Sequence, residues 1–344
     1  MRIDVICPEG PIATRGNRAS ALRIARLLRE RHDVRVAAKL GKRPGDACIA
    51  LHAGRSAGAI VDYAARAPHG RLVVLLTGTD VYGDRALSPD VMRSLQLAWR
   101  IVAAQPLAFA RIDRDLRDKA RAIPKSATVP PAAAEASRSA TPSACLEVVA
   151  LSHLRAEKDP LLLARAMDLL PSTSSLRAVH LGGALDDRSA KAAHAAHSER
   201  WQWIGPRPRS SALLRLARAR ALVLTSRVEG APNVIAEAAA LGRPILATAI
   251  DGVIGMLGDS HPGLFPVGDA RALARLLTRL EHDEAFVRAL ATKSRQLARA
   301  WTPRAEQAAW ERLLREPEPE IYSLSAAPSL AASSRRPRSR GSAR

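Results

Sequence analysis

The chain has 344 residues, 47% of them hydrophobic and 25% charged, with a formal net charge of +20. This length exceeds what one hydrophobic core ordinarily holds, so two domains are expected. No apolar run approaches the roughly 18 residues of a membrane span, and the N-terminus leads directly into a strand-like segment. We therefore expect a cytoplasmic protein without stable membrane insertion.

The positive charge does not by itself indicate a nucleic-acid partner. The arginines are scattered along Ala/Arg-rich helices, and aromatic residues, which stack on single-stranded bases, make up only 3% of the chain. We predict no nucleic-acid binding, and a disordered basic tail over residues 317–344. Cys7, Cys48 and Cys145 are an odd number without a C-x-x-C pair, which favours buried free thiols over disulfides or zinc ligands.

Strand-like and helix-like segments alternate along the first half, as in parallel sheets. Strands are predicted at 3–7, 34–38, 47–52, 72–77, 101–105 and 121–123, and helices at 17–31, 56–66 and 89–98. We assign residues 1–129 to an N-terminal, acceptor-side Rossmann-like domain. Residues 130–144, rich in Pro, Ala and Ser, break the periodicity and are interpreted as the interdomain linker.

The alternation resumes in the second half. Strands are predicted at 146–151, 176–181, 201–204, 221–225 and 244–247, and helices from 160 and at 234–241, 270–281, 284–301 and 303–315. We assign residues 145–302 to a C-terminal domain that binds a nucleotide sugar. The layout predicts an α/β fold with two doubly wound domains facing a cleft, where ligands lie beyond the carboxyl ends of the strands.

Glu229 and Glu237 form the most informative pattern of the chain. Glu229 lies in the loop after a buried strand, and Glu237 lies about one turn inside the following helix. The free N–H groups of that helix N-terminus offer a seat for phosphate oxygens. Carboxylates on either side can accept hydrogen bonds from the hydroxyls of a sugar and a ribose, as in a nucleotide diphosphate sugar. From the spacing alone, an ordinary helix start with two solvated glutamates remains the alternative.

A second cluster follows the first strand of the C-terminal domain. The segment Ser152-His153-Leu154-Arg155 leads to Lys158 and then to a helix beginning at Pro160. This loop can point Arg155 and Lys158 at the phosphate seat before Glu237. A loop of ordinary charged surface residues is the alternative.

Both patterns, with the closing segment 265–270, resemble the retaining GT-B glycosyltransferases that carry a Glu-x7-Glu motif (glycosyltransferase family 4-like), and the match spans residues 1–315. The resemblance implies that the helix over 303–316 crosses back to the first domain. It also implies that Lys158 neutralises the donor diphosphate and that Glu229 binds donor sugar hydroxyls, as the catalytic pair. Glu237 would hold the ribose. The predicted donor-binding residues are Arg155, His153, Asn233, Val234, Glu237 and Gly230.

The sequence departs from this family at two places. Ser152-His153-Leu154 replaces the usual Gly-Arg-Leu, leaving Arg155 as the substitute cation, and Thr77 replaces the histidine of a His-Gly-x-Asp segment. With the segments 8–18, 50–56, 76–82, 179–186 and 252–258, these departures resemble the selenosugar synthases of selenoneine biosynthesis. That subgroup joins the hexose of a UDP-sugar (UDP-N-acetylglucosamine or UDP-glucose) to selenium from selenophosphate, giving a 1-selenosugar.

Selenophosphate is small, strongly anionic and already a soft nucleophile, so its site needs cations more than a general base. The predicted acceptor-side residues are Gly16, Asn17, Arg18, Arg15, His52, Arg55, Thr79 and Asp80. For each arginine, the alternative to ligand binding is an ordinary surface position. For His52, the alternative is a packed position at a strand end. No cofactor or metal is expected, because no Asp-x-Asp follows a strand and Asp186-Asp187 is typical of a helix cap.

Two other functions stay open from the sequence. One is a conventional retaining transferase that acts on a sugar, lipid or small-molecule hydroxyl, with its basic surface on a membrane. The other is a non-enzymatic protein that binds polyanions, with an affinity that falls steeply with salt.

Overall fold

The computed structural model describes residues 1–8, 16–83, 86, 88–139 and 146–317. Its first sheet has six parallel strands in the order β2-β1-β3-β4-β5-β6. They are β1 (Arg2–Ile6), β2 (Asp33–Ala37), β3 (Ala47–Leu51), β4 (Arg71–Leu75), β5 (Arg100–Ala103) and β6 (Ala120–Ala122). The helices of this half are α1 (Gly16–Leu28), α2 (Ala57–Arg66) and α3 (Pro89–Leu97). Every residue of β3 is buried, because helices cover both faces of a doubly wound sheet.

The second sheet also has six parallel strands, in the order β12-β11-β10-β7-β8-β9. They are β7 (Glu147–Leu151), β8 (Arg177–Leu181), β9 (Trp201–Trp203), β10 (Ala221–Leu224), β11 (Ile245–Thr248) and β12 (Leu264–Phe265). The remaining helices are α4 (Pro131–Ser139), α5 (Leu162–Asp168), α6 (Asp187–Ala195), α7 (Arg209–Arg218), α8 (Asn233–Ala240), α9 (Asp251–Leu257), α10 (Ala270–His282), α11 (Glu284–Ala300) and α12 (Pro303–Arg315). The two sheets confirm the predicted α/β fold of two doubly wound domains.

The strand order of each sheet fixes where a ligand can bind. In each sheet the strand order reverses beside the first strand of that sheet. The reversal lies between β1 and β3 in the first sheet and between β7 and β10 in the second. The loops after these neighbouring strands diverge and leave a crevice at the carboxyl edge of the sheet. The loop after β10 carries Glu229, and the loop after β7 carries Lys158.

The helix α12 returns to the first domain, as predicted. Its buried residues Trp310, Leu313 and Leu314 belong to the core that contains Ile24 and Leu28 of α1. The end of the helix is also held there, because Glu316 accepts hydrogen bonds from two arginines of the first sheet at 2.7 and 2.9 Å.

The linker prediction needs one correction. Residues 131–139 form the helix α4, within the segment that was predicted to be a linker without periodicity. The helix begins at Pro131, a residue suited to the first turn, and it buries Ala133 in the same core as α7. Consecutive prolines at 130 and 131 are typical of a linker, but a proline is also tolerated in the first turn of a helix, which is where Pro131 lies. Residues 140–145, with Cys145, lie outside the described part, and the linker boundaries stay a prediction.

Three further predictions concern the cysteines, membrane-spanning helices and the C-terminal tail. Cys7 and Cys48 are buried, as predicted. None of the helices in the described ranges is long and apolar enough to cross a membrane. Apart from Pro317, the predicted basic tail lies outside the described residues.

Glu306 joins α12 to the first domain through a buried carboxylate. Its side chain is 2% exposed and accepts from the backbone N–H of Ser126 at 2.7 Å, from the Ser126 hydroxyl at 2.6 Å and from Arg23 Nε at 3.1 Å. Removing one partner of such a cluster leaves the others buried without compensation.

We therefore expect Glu306→Ala to lower the free energy of unfolding by about 3 kcal/mol, measured by urea denaturation. Glu284→Ala is the control, because the Glu284 side chain is 60% exposed and is expected to contribute less than about 1 kcal/mol. Equal losses in the two variants would contradict the anchoring role of Glu306.

Candidate active site

The loops after β7 and β10 are joined at the carboxyl edge of the second sheet. The loop after β7 forms a short 3-10 helix, Ala156–Lys158. The Arg227 N–H donates to the Glu157 carbonyl at 2.8 Å, and the Thr225 hydroxyl donates to the Lys158 carbonyl at 2.8 Å. These contacts fix the backbone from which Lys158 and Glu229 extend.

Lys158 and Glu229 are in direct contact. The Lys158 ammonium donates to Glu229 Oε1, and the Ser226 hydroxyl donates to the same oxygen at 2.8 Å. Their side chains are 15% and 10% exposed, so water screens the pair only weakly. The structure thus brings the two predicted catalytic residues together at the strand-order reversal, with the ammonium held beside a carboxylate.

Glu237 pairs with a cation that the sequence analysis did not identify. Arg209, the first residue of α7, donates to Glu237 Oε1 through Nε at 2.9 Å and Nη2 at 2.7 Å. Burial raises the pKa of the Glu237 carboxyl above its ordinary value, and Arg209 opposes part of that rise. Arg209 lies 28 residues before Glu237 in the chain, so no local pattern links them.

A cavity of about 680 Å³ lies between the two domains. His153, Asn233, Glu237 and Arg209 line it from the second domain, and Arg18 lines it from the first. Arg18, predicted for the acceptor, therefore lies beside the predicted donor residues. Its Nε is buried without a hydrogen-bond partner among the described residues, and an anionic ligand would supply one.

The N-termini of α1 and α8 approach each other across this cavity. The Asn233 amide donates to the Gly16 carbonyl at 3.3 Å and accepts from Arg23 Nη1 at 3.4 Å. Val234 lies in the same first turn of α8, and Asn17 lies in the first turn of α1. Two helix N-termini with an arginine between them favour an anion. Arg15 lies outside the described residues.

Gly230 lies where the two domains touch. A Cβ on Gly230 would stand 1.4 Å from the Thr77 carbonyl oxygen, so this approach tolerates only glycine. Gly78 is less tight but still restricted, since its Cβ would lie 2.9 Å from the Gly230 nitrogen. Gln105 Nε2 also donates to the Gly230 carbonyl at 3.2 Å.

His52, Thr79 and Asp80 form one cluster at the carboxyl edge of the first sheet. Asp80 is buried and accepts from the N–H groups of Ala53 at 3.0 Å and Gly78 at 2.8 Å. It ties the loops after β3 and β4 together, so its role here is structural. His52 has a positive φ of 69°, accepts from the Arg55 N–H at 3.2 Å and places Nε2 2.9 Å from the Thr79 hydroxyl.

Two predicted residues have other contacts in the second domain. Arg155 lies 3.9 Å from Glu157 in its own loop, so its role in phosphate binding stays a prediction. His153 accepts from the Gly183 N–H at 3.2 Å and borders the cavity. No group of three or more His, Cys, Asp or Glu side chains within the described ranges is arranged to hold a metal ion.

Comparisons with known proteins agree with this arrangement. Residues 137–299, somewhat less than half of the chain, match the family model for glycosyl transferases group 1. A segment of 62 residues is 40% identical to TuaC of Bacillus subtilis (strain 168), which is named as a teichuronic acid biosynthesis glycosyltransferase. That segment is 18% of this chain and 16% of TuaC, so it covers a small part of either protein.

Two solved structures share the fold over nearly the whole chain. HepE of Anabaena, in complex with UDP and glucose, superposes with a TM-score of 0.73 at 17% identity, covering 91% of this chain and 99% of HepE. Sucrose-phosphate synthase of Thermosynechococcus elongatus superposes with a TM-score of 0.75 at 17% identity, covering 92% and 98%. Residues 137–299 are therefore similar to the group 1 glycosyl transferases, and the chain shares the two-domain fold of these solved structures over more than nine-tenths of its length.

Proposed function

We propose that this protein is a retaining glycosyltransferase that moves a hexose from a UDP-sugar to selenophosphate, forming the 1-selenosugar of selenoneine biosynthesis. The observation that carries the transferase part is the contact between Lys158 and Glu229, in the loop that leads into α8 and next to Gly230, where the domains touch. Complexes of HepE with UDP and glucose, and with UDP-glucose, support a UDP-sugar as donor.

The proposed donor site combines Glu237 and Asn233, which line the cavity, with the Lys158–Glu229 pair, whose residues are not among those that line it. The diphosphate lies on the N-terminus of α8, where Lys158 neutralises part of its charge. Glu229 accepts hydrogen bonds from hydroxyls of the transferred sugar, and Glu237 accepts from the ribose. In the structure Arg209 occupies one oxygen of Glu237, which leaves the other oxygen for a hydroxyl.

The reaction then needs charge stabilisation more than proton transfer. Selenium attacks the anomeric carbon from the leaving-group face, and a C–Se bond forms as the C–O bond to the diphosphate breaks. UDP leaves with the bonding electrons, and Lys158 with the N–H groups of α8 stabilises its new charge. Water then cleaves the Se–P bond to release phosphate and the selenol.

The assignment of selenophosphate as the acceptor rests on the sequence resemblance and on the chemistry of the predicted acceptor-side residues of the first domain. Among the predicted acceptor-side residues, Arg55 is exposed, and Gly16 and Asn17 begin α1; a cation and a helix N-terminus both suit a small anion. A hydroxyl acceptor would instead need a general base, and the carboxylate of Asp80 is already saturated by backbone N–H groups.

Mass spectrometry tests the proposal directly. The protein is incubated with UDP-glucose or UDP-N-acetylglucosamine and selenophosphate, with Lys158→Ala and an enzyme-free mixture as controls. A hexose that carries the selenium isotope pattern, formed only by the wild type, supports it. UDP release with hydroxyl acceptors but not with selenophosphate would favour a conventional transferase. Salt-sensitive polyanion binding without UDP release would overturn the enzymatic assignment.

A further inference from the structure

Lys125 of the first domain contacts the loop between β10 and α8 in the second domain. It follows β6, two residues after the buried Ile123, and precedes α4. Its Nζ donates to the Ala231 carbonyl at 2.6 Å. Ala231 lies between Gly230, where the domains touch, and Asn233, which begins α8, so this bond joins the first domain to the loop between the two glutamates.

The charges around Lys125 come from four elements. They are Arg23 of α1, Glu306 of α12, Glu229 of the loop after β10 and Lys158 of the loop after β7. Glu306 is bound to Ser126 and Arg23, and Glu229 is bound to Lys158. Within the described residues, neither carboxylate is in contact with the Lys125 ammonium, whose hydrogen-bond acceptor is a neutral carbonyl.

We propose that Lys125 is a positioning residue for the donor diphosphate: its ammonium fixes the Ala231 carbonyl, and thereby the loop from Glu229 to Asn233, and it places a positive charge beside the phosphate seat. The inference rests on the proposed UDP-sugar donor and adds a residue from the opposite domain to that site. An ammonium whose hydrogen-bond acceptor is a neutral carbonyl, with no carboxylate in contact, is stabilised most when an anion binds nearby.

The protonation of Lys125 is coupled to donor binding. Burial lowers the pKa of the Lys125 ammonium, and Arg23 lowers it further, to about 7, against the opposing effects of Glu229 and Glu306. A bound diphosphate adds negative charge and raises this pKa, so binding takes up a proton above about pH 7. The affinity for the donor is then highest below that pH, where Lys125 is protonated. It falls as the pH rises, by at most about tenfold per pH unit for one proton.

Calorimetric titration with UDP-glucose at about pH 6 to about pH 8.5 tests this coupling. UDP-glucose is the probe because its diphosphate has no group that titrates in this range, whereas the terminal phosphate of UDP does. The wild type is expected to bind more weakly as the pH rises and to take up protons, measured in buffers of different ionisation enthalpy. Lys125→Arg, charged throughout, is expected to show neither effect. Lys125→Met is expected to bind more weakly and without the pH dependence.

The controls separate a positioning role from a structural one. Lys42→Met, at an exposed lysine of the same domain, is expected to keep the wild-type pH profile. A merely structural lysine would change the melting temperature without changing proton uptake, and Lys125→Arg decides the matter if Lys125→Met does not fold. An unchanged pH profile in Lys125→Arg would overturn this inference alone. Failure of the wild type to bind UDP-glucose would overturn the proposed donor as well.

Discussion

Lys158→Ala is expected to lower the turnover of sugar transfer by about 100- to 1,000-fold. The physical reason is the charge that builds on the departing phosphate, which we propose is stabilised by the Lys158 ammonium, held by Glu229 of the loop that leads into α8. Removing one such preorganised donor typically costs about 3–4 kcal/mol in the transition state. Initial rates of UDP release at saturating donor measure the effect, which should appear mainly in kcat.

The matched control for this variant is Lys191→Ala. Lys191 is an exposed lysine of α6 in the same domain, so its replacement by alanine removes an equal charge from a residue that is not predicted to belong to the site. It is expected to leave turnover within about twofold, because exposed charges interact weakly with a distant site. Circular dichroism should show both variants folded. Near-wild-type turnover in Lys158→Ala would remove this lysine from the mechanism.

Gly230→Ala is expected to lower turnover by at least about 100-fold, through the junction of the domains and not through the chemistry. An added Cβ would stand 1.4 Å from the Thr77 carbonyl oxygen, so the two backbones must separate. Separation moves the first domain away from the sugar bound near Glu229. Even a displacement of about 1 Å can cost about 100-fold in rate.

Gly58→Ala is the control for this substitution. Gly58 lies in α2, and an added Cβ there meets nothing within 4 Å. That variant is expected to be fully active and slightly more stable, since alanine favours a helix over glycine. Donor affinity should fall much less than turnover in Gly230→Ala, because the donor residues belong mainly to the second domain. Unchanged turnover would show that the contact with Thr77 is not needed for transfer.

The sequence was sufficient for the fold because its strands are parallel and buried. Segments such as 47–51 and 221–224 are continuous apolar runs that a helix period does not explain, and regular alternation with helices restricts the topology to doubly wound sheets. The helix α4 escaped prediction because the prolines at 130 and 131 were interpreted as a break in the periodicity, whereas Pro131 is the first residue of the helix.

The site was predictable only where its residues share a segment. Glu229 and Glu237 flank one helix start, so their relation is visible in the chain. Arg209 and Lys125 reach the same region from other segments through tertiary contacts, and no local spacing indicates these pairings. Asp80 shows a second limit, because nothing in the sequence indicates that its oxygens hold the loops after β3 and β4 together, and its acceptor role stays a prediction.

A calorimetric titration with UDP tests most directly whether the second domain holds a nucleotide diphosphate between Lys158 and the start of α8. We predict saturable binding in the micromolar range by the wild type. We also predict a loss of at least about tenfold in Lys158→Ala, which removes the proposed charged contact to phosphate, and in Glu237→Ala, which removes the proposed acceptor for the ribose. Absence of binding at millimolar UDP, or equal affinity in the wild type and both variants, would contradict the account.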